Sequence, residues 1–162
     1  MIPISVEDAL VDTEALDALE RIVIAGVGMT NAALNHARPR LDLTFPQWRV
    51  LVVLGGRPEG LGVQEIAQRI AVTLPATGRQ LHRLAERGLL VLEPDARDRR
   101  VTRARLTEAG VAARTSIMGD RRARIAEGIA GVQPGADTVR DLERIAEAME
   151  AELTRGYRAP RA

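Results

Sequence analysis

The run Thr77-Gly78-Arg79-Gln80-Leu81-His82-Arg83 is rich in side chains that hydrogen-bond base edges and phosphates. Arginine's planar fork reaches O6 and N7 of a guanine together, a contact worth about 1–3 kcal/mol of discrimination in a major groove. Arg79 is the strongest base-reading candidate, with Thr77, Gln80 and His82 as further candidates for bases or phosphates. A second cluster follows at Arg97-Asp98-Arg99-Arg100. Arg100 suits insertion into a narrow minor groove, with Asp98 holding its guanidinium by a charge-assisted hydrogen bond, so that less rotamer entropy is lost on entry. Arg97 and Arg99 suit phosphate contacts. The plainer reading of both clusters is a solvated helix face and a tip that is charged because tips are exposed.

The elements around these residues favour the first reading. Ile66, Ala67 and Ile70 mark one face of a short helix over Val63 to Ile70. Thr73 can cap a second helix with Pro75 in its first turn, where the N–H groups lack intrahelical partners anyway. Leu74, Leu81 and Leu84, with Thr77 or Gly78 between, form its buried stripe, and Gly88 ends it. A short apolar strand over Leu89 to Glu93, a charged turn over Pro94 to Arg99 and an alternating strand over Arg100 to Leu106 then make a hairpin. Two helices joined by a tight turn and followed by a basic-tipped hairpin make a winged helix-turn-helix, which sets one helix in a major groove and a hairpin in the adjacent minor groove.

Asp98-Arg99-Arg100 followed by Leu106-Thr107-Glu108-Ala109-Gly110, after that helix pair, resembles the MarR family of winged-helix transcription regulators. The resemblance runs from about Ala15 to Leu153. It implies a dimer held by the terminal helices and a ligand pocket between those helices and the winged helix. It also implies an intramolecular partner for Arg83. Gly78 departs from the family, in which serine or threonine commonly precedes the arginine, so one contact is missing there.

Composition bounds the rest. The chain has 162 residues, 46% hydrophobic, and its only aromatics are Phe45, Trp48 and Tyr157, so the core is aliphatic. Without cysteine there is no disulfide framework, thiolate metal site or cysteine redox sensor. No paired acids have a histidine partner at metal spacing, and His36 and His82 lie in different elements. Neither enzyme chemistry nor a metal or other cofactor is expected. With no signal peptide and no apolar run long enough to span a bilayer, the expected location is the cytoplasm, away from the membrane. Net charge is only +1, but residues 57–105 carry ten arginines against six acids, whereas residues 1–20 carry acids and no base. All 23 basic residues are arginine, which codon bias explains better than selection for DNA.

Outside the reading elements, Met1 to Ser5 read as a loose arm. Leu16, Leu19, Val23, Val27 and Leu34 recur at helical spacing, giving a long helix from about Thr13 to Ala37 that Pro39 stops. Gly26 and Gly28 inside it cost roughly 1 kcal/mol each, so they should meet a close neighbour or line a cavity. Thr44 caps the next helix, with Pro46 in its first turn and Gly55-Gly56 at its end. A strand is expected near Leu61. Thr107 caps a helix to about Ala130, with Arg114, Arg121, Arg122 and Arg124 as a solvated face. After a break at Gly131 to Gly135, a last helix to about Tyr157 aligns Val139, Leu142, Ile145, Met149 and Leu153. One chain cannot cover both terminal stripes, so a two-fold homodimer is expected.

The fold class is thus mainly α with a small β-hairpin wing. Residues 1–40 and 108–162 form the dimerisation region and residues 41–107 the DNA-binding domain. The function read from this is a regulator, a repressor by preference, that binds a pseudo-palindromic double-stranded operator and is relieved by a phenolic or anionic aromatic effector. Asn31, His36, Trp48 and Arg49 are the candidate ligand residues. The plainer readings are core for Trp48 and Phe45, and a solvated helix end for His36. Two alternatives stay open: a winged-helix protein–protein adaptor without DNA binding, and an activator, separable by operator position.

Overall fold

The computed structural model describes residues 12–156. Its elements run α1 (Thr13–Leu41), α2 (Phe45–Leu54), β1 (Leu61–Gly62), α3 (Val63–Ile70), α4 (Leu74–Glu86), β2 (Leu90–Pro94), β3 (Thr102–Leu106), α5 (Glu108–Gly128) and α6 (Ala136–Gly156). The three strands form one antiparallel sheet in the order β1-β3-β2. The expected arm at Met1 to Ser5, Tyr157 and the side chain of Leu153 lie outside the described residues.

Local signals start most helices as expected. Thr44 and Gln47 form a reciprocal capping box at α2, with Pro46 in the first turn. Thr107 caps α5 by accepting from the Gly110 N–H at 3.1 Å. Gly88 follows α4 with φ of +68°, the left-handed conformation that lets the chain turn into β2. α1 begins differently: Asp12 is its cap and accepts from the Glu14 N–H at 3.2 Å.

Pro39 does not stop α1, which continues to Leu41. Proline removes one N–H, but the last turn still closes through the Asp42 N–H on the Arg38 carbonyl at 3.0 Å. Arg87, at the C-terminus of α4, donates to the carbonyls of Leu41 at 3.2 Å and Asp42 at 2.9 Å. A tertiary contact thus satisfies acceptors that a helix end otherwise leaves to water.

The core gathers Ala33, Leu34 and Ala37 of α1, Leu51 and Leu54 of α2, Ile66 and Ile70 of α3, Leu81 and Leu84 of α4, Leu90 of β2 and Ile117 of α5. Burying each large aliphatic side chain contributes about 1.5–3 kcal/mol. Leu74 is half exposed, so the α4 stripe starts at Thr77 and not one turn earlier. Val101 is also exposed and lies outside the strand, because β3 begins at Thr102. Leu16, Val23 and Val27 on α1, and Val139, Leu142 and Met149 on α6, are all exposed. A Cβ at Gly26 or Gly28 would meet nothing among the described residues within 4 Å, so no helix presses there; Gly26 lines a cavity.

Candidate nucleic-acid interface

Helix α4 is held by Thr77, Leu81 and Leu84, which are buried, and its outward face carries Arg79, His82 and Arg83. Thr77, expected among the outward residues, is fully buried, with its hydroxyl lacking a hydrogen-bond partner among the described residues. Spacings of four to Leu81 and seven to Leu84 put it on the core stripe, where it cannot reach a base. Gln80 is half-buried with its Oε1 enclosed. Thr73 is the cap residue of α4 but makes no side-chain capping bond. Arg83 has no ion-pair partner among the described residues, contrary to the pairing the resemblance implied; it stands exposed beside His82. Arg87, unmarked by any local pattern, fixes the C-terminal end of α4 to the end of α1.

The wing is organised by a residue the sequence did not single out. Asp95 accepts from the backbone N–H of Arg97 at 2.7 Å and of Asp98 at 3.1 Å, and pairs with the Arg103 guanidinium. Arg103 also donates to the Gly60 carbonyl at 2.8 Å, tying the hairpin to the loop before β1. The Arg103 hydrogen bond, then those two backbone donors, hold the Asp95 carboxyl down to about 2. The same pairing raises the Arg103 guanidinium. Asp98 does not hold the guanidinium of Arg100: its carboxylate accepts the Arg100 backbone N–H at 3.0 Å. A short aspartate two residues before a turn N–H forms that local bond more readily than it follows a long side chain outward. Arg97, Arg99 and Arg100 are exposed and unpaired among the described residues.

The four ligand candidates do not converge. Trp48 is buried and lines an apolar cavity of about 540 Å3 bounded by α1, α2 and α5, with Phe45 at 5.8 Å between ring centroids. It is therefore both core and cavity wall. His36 lies in a separate polar cleft with Asp120, Arg124 and Glu127. Asn31 is exposed and Arg49 half-buried, and neither lines either space; burial pushes the Arg49 guanidinium down. Arg121, expected on a solvated face, is half-buried and lines the Trp48 cavity instead. Its guanidinium carbon sits 5.8 Å from the Trp48 ring, and its Nε is enclosed without a hydrogen-bond partner among the described residues. Arg114 and Arg124 are also half-buried, leaving Arg122 as the exposed one of the four. Arg121 is the cation that the sequence reading missed, because α5 shows no strong stripe to set its faces apart.

A MarR family model matches residues 41–101, which span α2 to the wing tip. Over this stretch the chain is similar to the MarR family. A 72-residue stretch is 35% identical to the HTH-type transcriptional repressor IacR of Pseudomonas putida, covering 44% of this chain and 42% of that protein. The aligned part is thus less than half the length of that relative. The fold likeness reaches further. RV1404 from Mycobacterium tuberculosis is 27% identical with a TM-score of 0.72, over 86% of this chain and 95% of its own. CouR from Rhodococcus jostii RHA1, solved bound to p-coumaroyl-CoA, is 22% identical with a TM-score of 0.68, over 96% of this chain and 99% of its own. The likeness of fold thus takes in the terminal helices along with the winged helix.

Proposed function

We propose that the protein is a homodimeric DNA-binding transcriptional repressor. Residues 41–107 serve as its reader, and residues 1–40 and 108–162 clasp a second copy. The observation that carries the reading is a set of exposed guanidinium groups, Arg79 and Arg83 on α4 and Arg97, Arg99 and Arg100 on the wing, none neutralised by an ion pair among the described residues. Arg79 reads a base edge, with His82 and Gln80 beside it. Arg97 and Arg99 touch phosphates, and Arg100 enters the minor groove, its backbone set by Asp98. The exposed stripes of α1 and α6 support the two-fold partner. The match to a MarR-type repressor supports the sign of regulation.

The effector in this reading is an anionic aromatic held against Trp48 by Arg121. This revises the candidate set: Trp48 stays, while Asn31, His36 and Arg49 lie away from that cavity. CouR's p-coumaroyl-CoA, a phenolic thioester whose negative charge lies on the CoA phosphates, supports the aromatic part of this class. Ligand binding between α1 and α5 biases the separation of the two readers, and DNA affinity changes by linkage.

Selection of bound duplexes from a random pool, followed by titration at several salt concentrations, tests the function. An enriched inverted repeat whose affinity falls steeply with salt is expected, since each neutralised phosphate releases counterions. No enrichment and no salt dependence would leave the adaptor reading in its place.

A further inference from the structure

Glycine weakens a helix interior relative to alanine, so Gly78, in the second turn of α4, needs a reason to be there. Nothing inside the fold supplies one. Its φ is not positive, and a Cβ there would meet nothing within 4 Å among the described residues. Leu74, Gly78 and His82 follow one another at steps of four, along the flank that joins the buried stripe of Thr77, Leu81 and Leu84 to the outward face. A helical side chain covers the turn before its own Cα, so the missing one leaves a gap next to Leu74. Leu74 is a large apolar residue left half exposed at the start of the helix. An apolar wall and an empty step beside it make a seat for something small and apolar.

The neighbouring charges select the occupant. Arg79 and Arg83 are exposed on the adjoining face, and the first turn carries no acid, so a polyanion suits this surface better than an apolar protein face. The apolar group that a duplex presents in its major groove is the 5-methyl of thymine, and the first residues of a reading helix lie nearest the base edges. We infer that Leu74 and the gap at Gly78 seat the 5-methyl group of one thymine in each half-site. The inference rests on the DNA reading proposed above and adds to it a base chosen by shape, beside the one that Arg79 reads by hydrogen bonds.

The test starts from the duplex selected by the full chain and replaces its thymines with deoxyuridine, one position at a time in both half-sites, which removes the methyl group alone. At one position the change should weaken binding about fourfold per half-site, the worth of one buried methyl. Gly78→Ala fills the gap. It should bind the thymine and uridine duplexes equally, at about the uridine affinity or below, while its unfolding midpoint in denaturant rises. Leu74→Ala should leave less than about a twofold difference between the two duplexes. Uridine tolerated at every position, as a protein-docking face would give, overturns the inference and leaves the DNA reading standing. So does a thymine preference that survives intact in Gly78→Ala. Selection of no duplex at all overturns both.

Discussion

At the scale of single residues, Arg79 and Arg100 do different work on the proposed DNA and their substitutions separate accordingly. Arg79→Ala should cost about 1–3 kcal/mol on the selected site and relax preference at one base position, read by repeating the duplex selection with the variant. Arg100→Ala should weaken binding chiefly where the minor groove is narrow, and little elsewhere. Asp95 gives a prediction free of DNA. Its folded value of about 2 lies below the ordinary 3.8, so its carboxylate stabilises the wing above about 3.8. That contribution fades as pH falls towards 2. The amide signals of Arg97 and Asp98 should therefore titrate near 2 in the intact protein, and nearer the ordinary value in Arg103→Ala. Titration near 3.8 in both proteins would mean that the Asp95–Arg103 pair does not order the tip.

At the scale of elements, Arg87 links α4, the proposed reading helix, to α1 through the carbonyls of Leu41 and Asp42. Arg87→Ala should lower affinity for the selected duplex about tenfold, because α4 loses its fixed end. Its salt slope should stay that of the intact protein, since the guanidinium is committed to the Leu41 and Asp42 carbonyls; a slope reduced by about one would make Arg87 a phosphate contact instead. Leu51→Ala, in a fully buried position of α2, should cost about 2–5 kcal/mol in denaturant unfolding.

The elements themselves were largely legible in the chain, since the stripes, the caps at Thr44 and Thr107 and the stop at Gly88 are short-range signals. The departures have long-range causes. Pro39 ends no helix because the Asp42 N–H still closes the last turn on Arg38, and Arg87, far along the sequence, takes up the carbonyls at its end. Asp95 finds Arg103 and Arg103 finds Gly60 only once the sheet pairs. Arg121 and Arg114 read as solvated because α5 alternates small and charged residues with little apolar contrast, so which arginines turn inward is decided by α1 and α2. Thr77 against Leu74 shows the same limit: periodicity identifies a stripe but not the turn at which the core takes it up.

At the scale of the whole molecule, the proposed second copy would cover the exposed apolar faces of α1 and α6. Leu142→Glu should weaken self-association about a hundredfold or more, since an unpaired carboxylate would be buried in apolar contact; sedimentation equilibrium reads it. The same variant should then lose the steep operator affinity while keeping weak, salt-sensitive binding to any duplex. The measurement that bears most directly on the account is the affinity of the intact protein for duplexes carrying the selected half-sites at stepped separations. Two clasped readers predict a sharp maximum with half-site centres roughly 34–36 Å apart, one helical turn, and a collapse towards non-specific affinity when half a turn is inserted. A flat profile, with one half-site bound as tightly as two at any spacing, would contradict it.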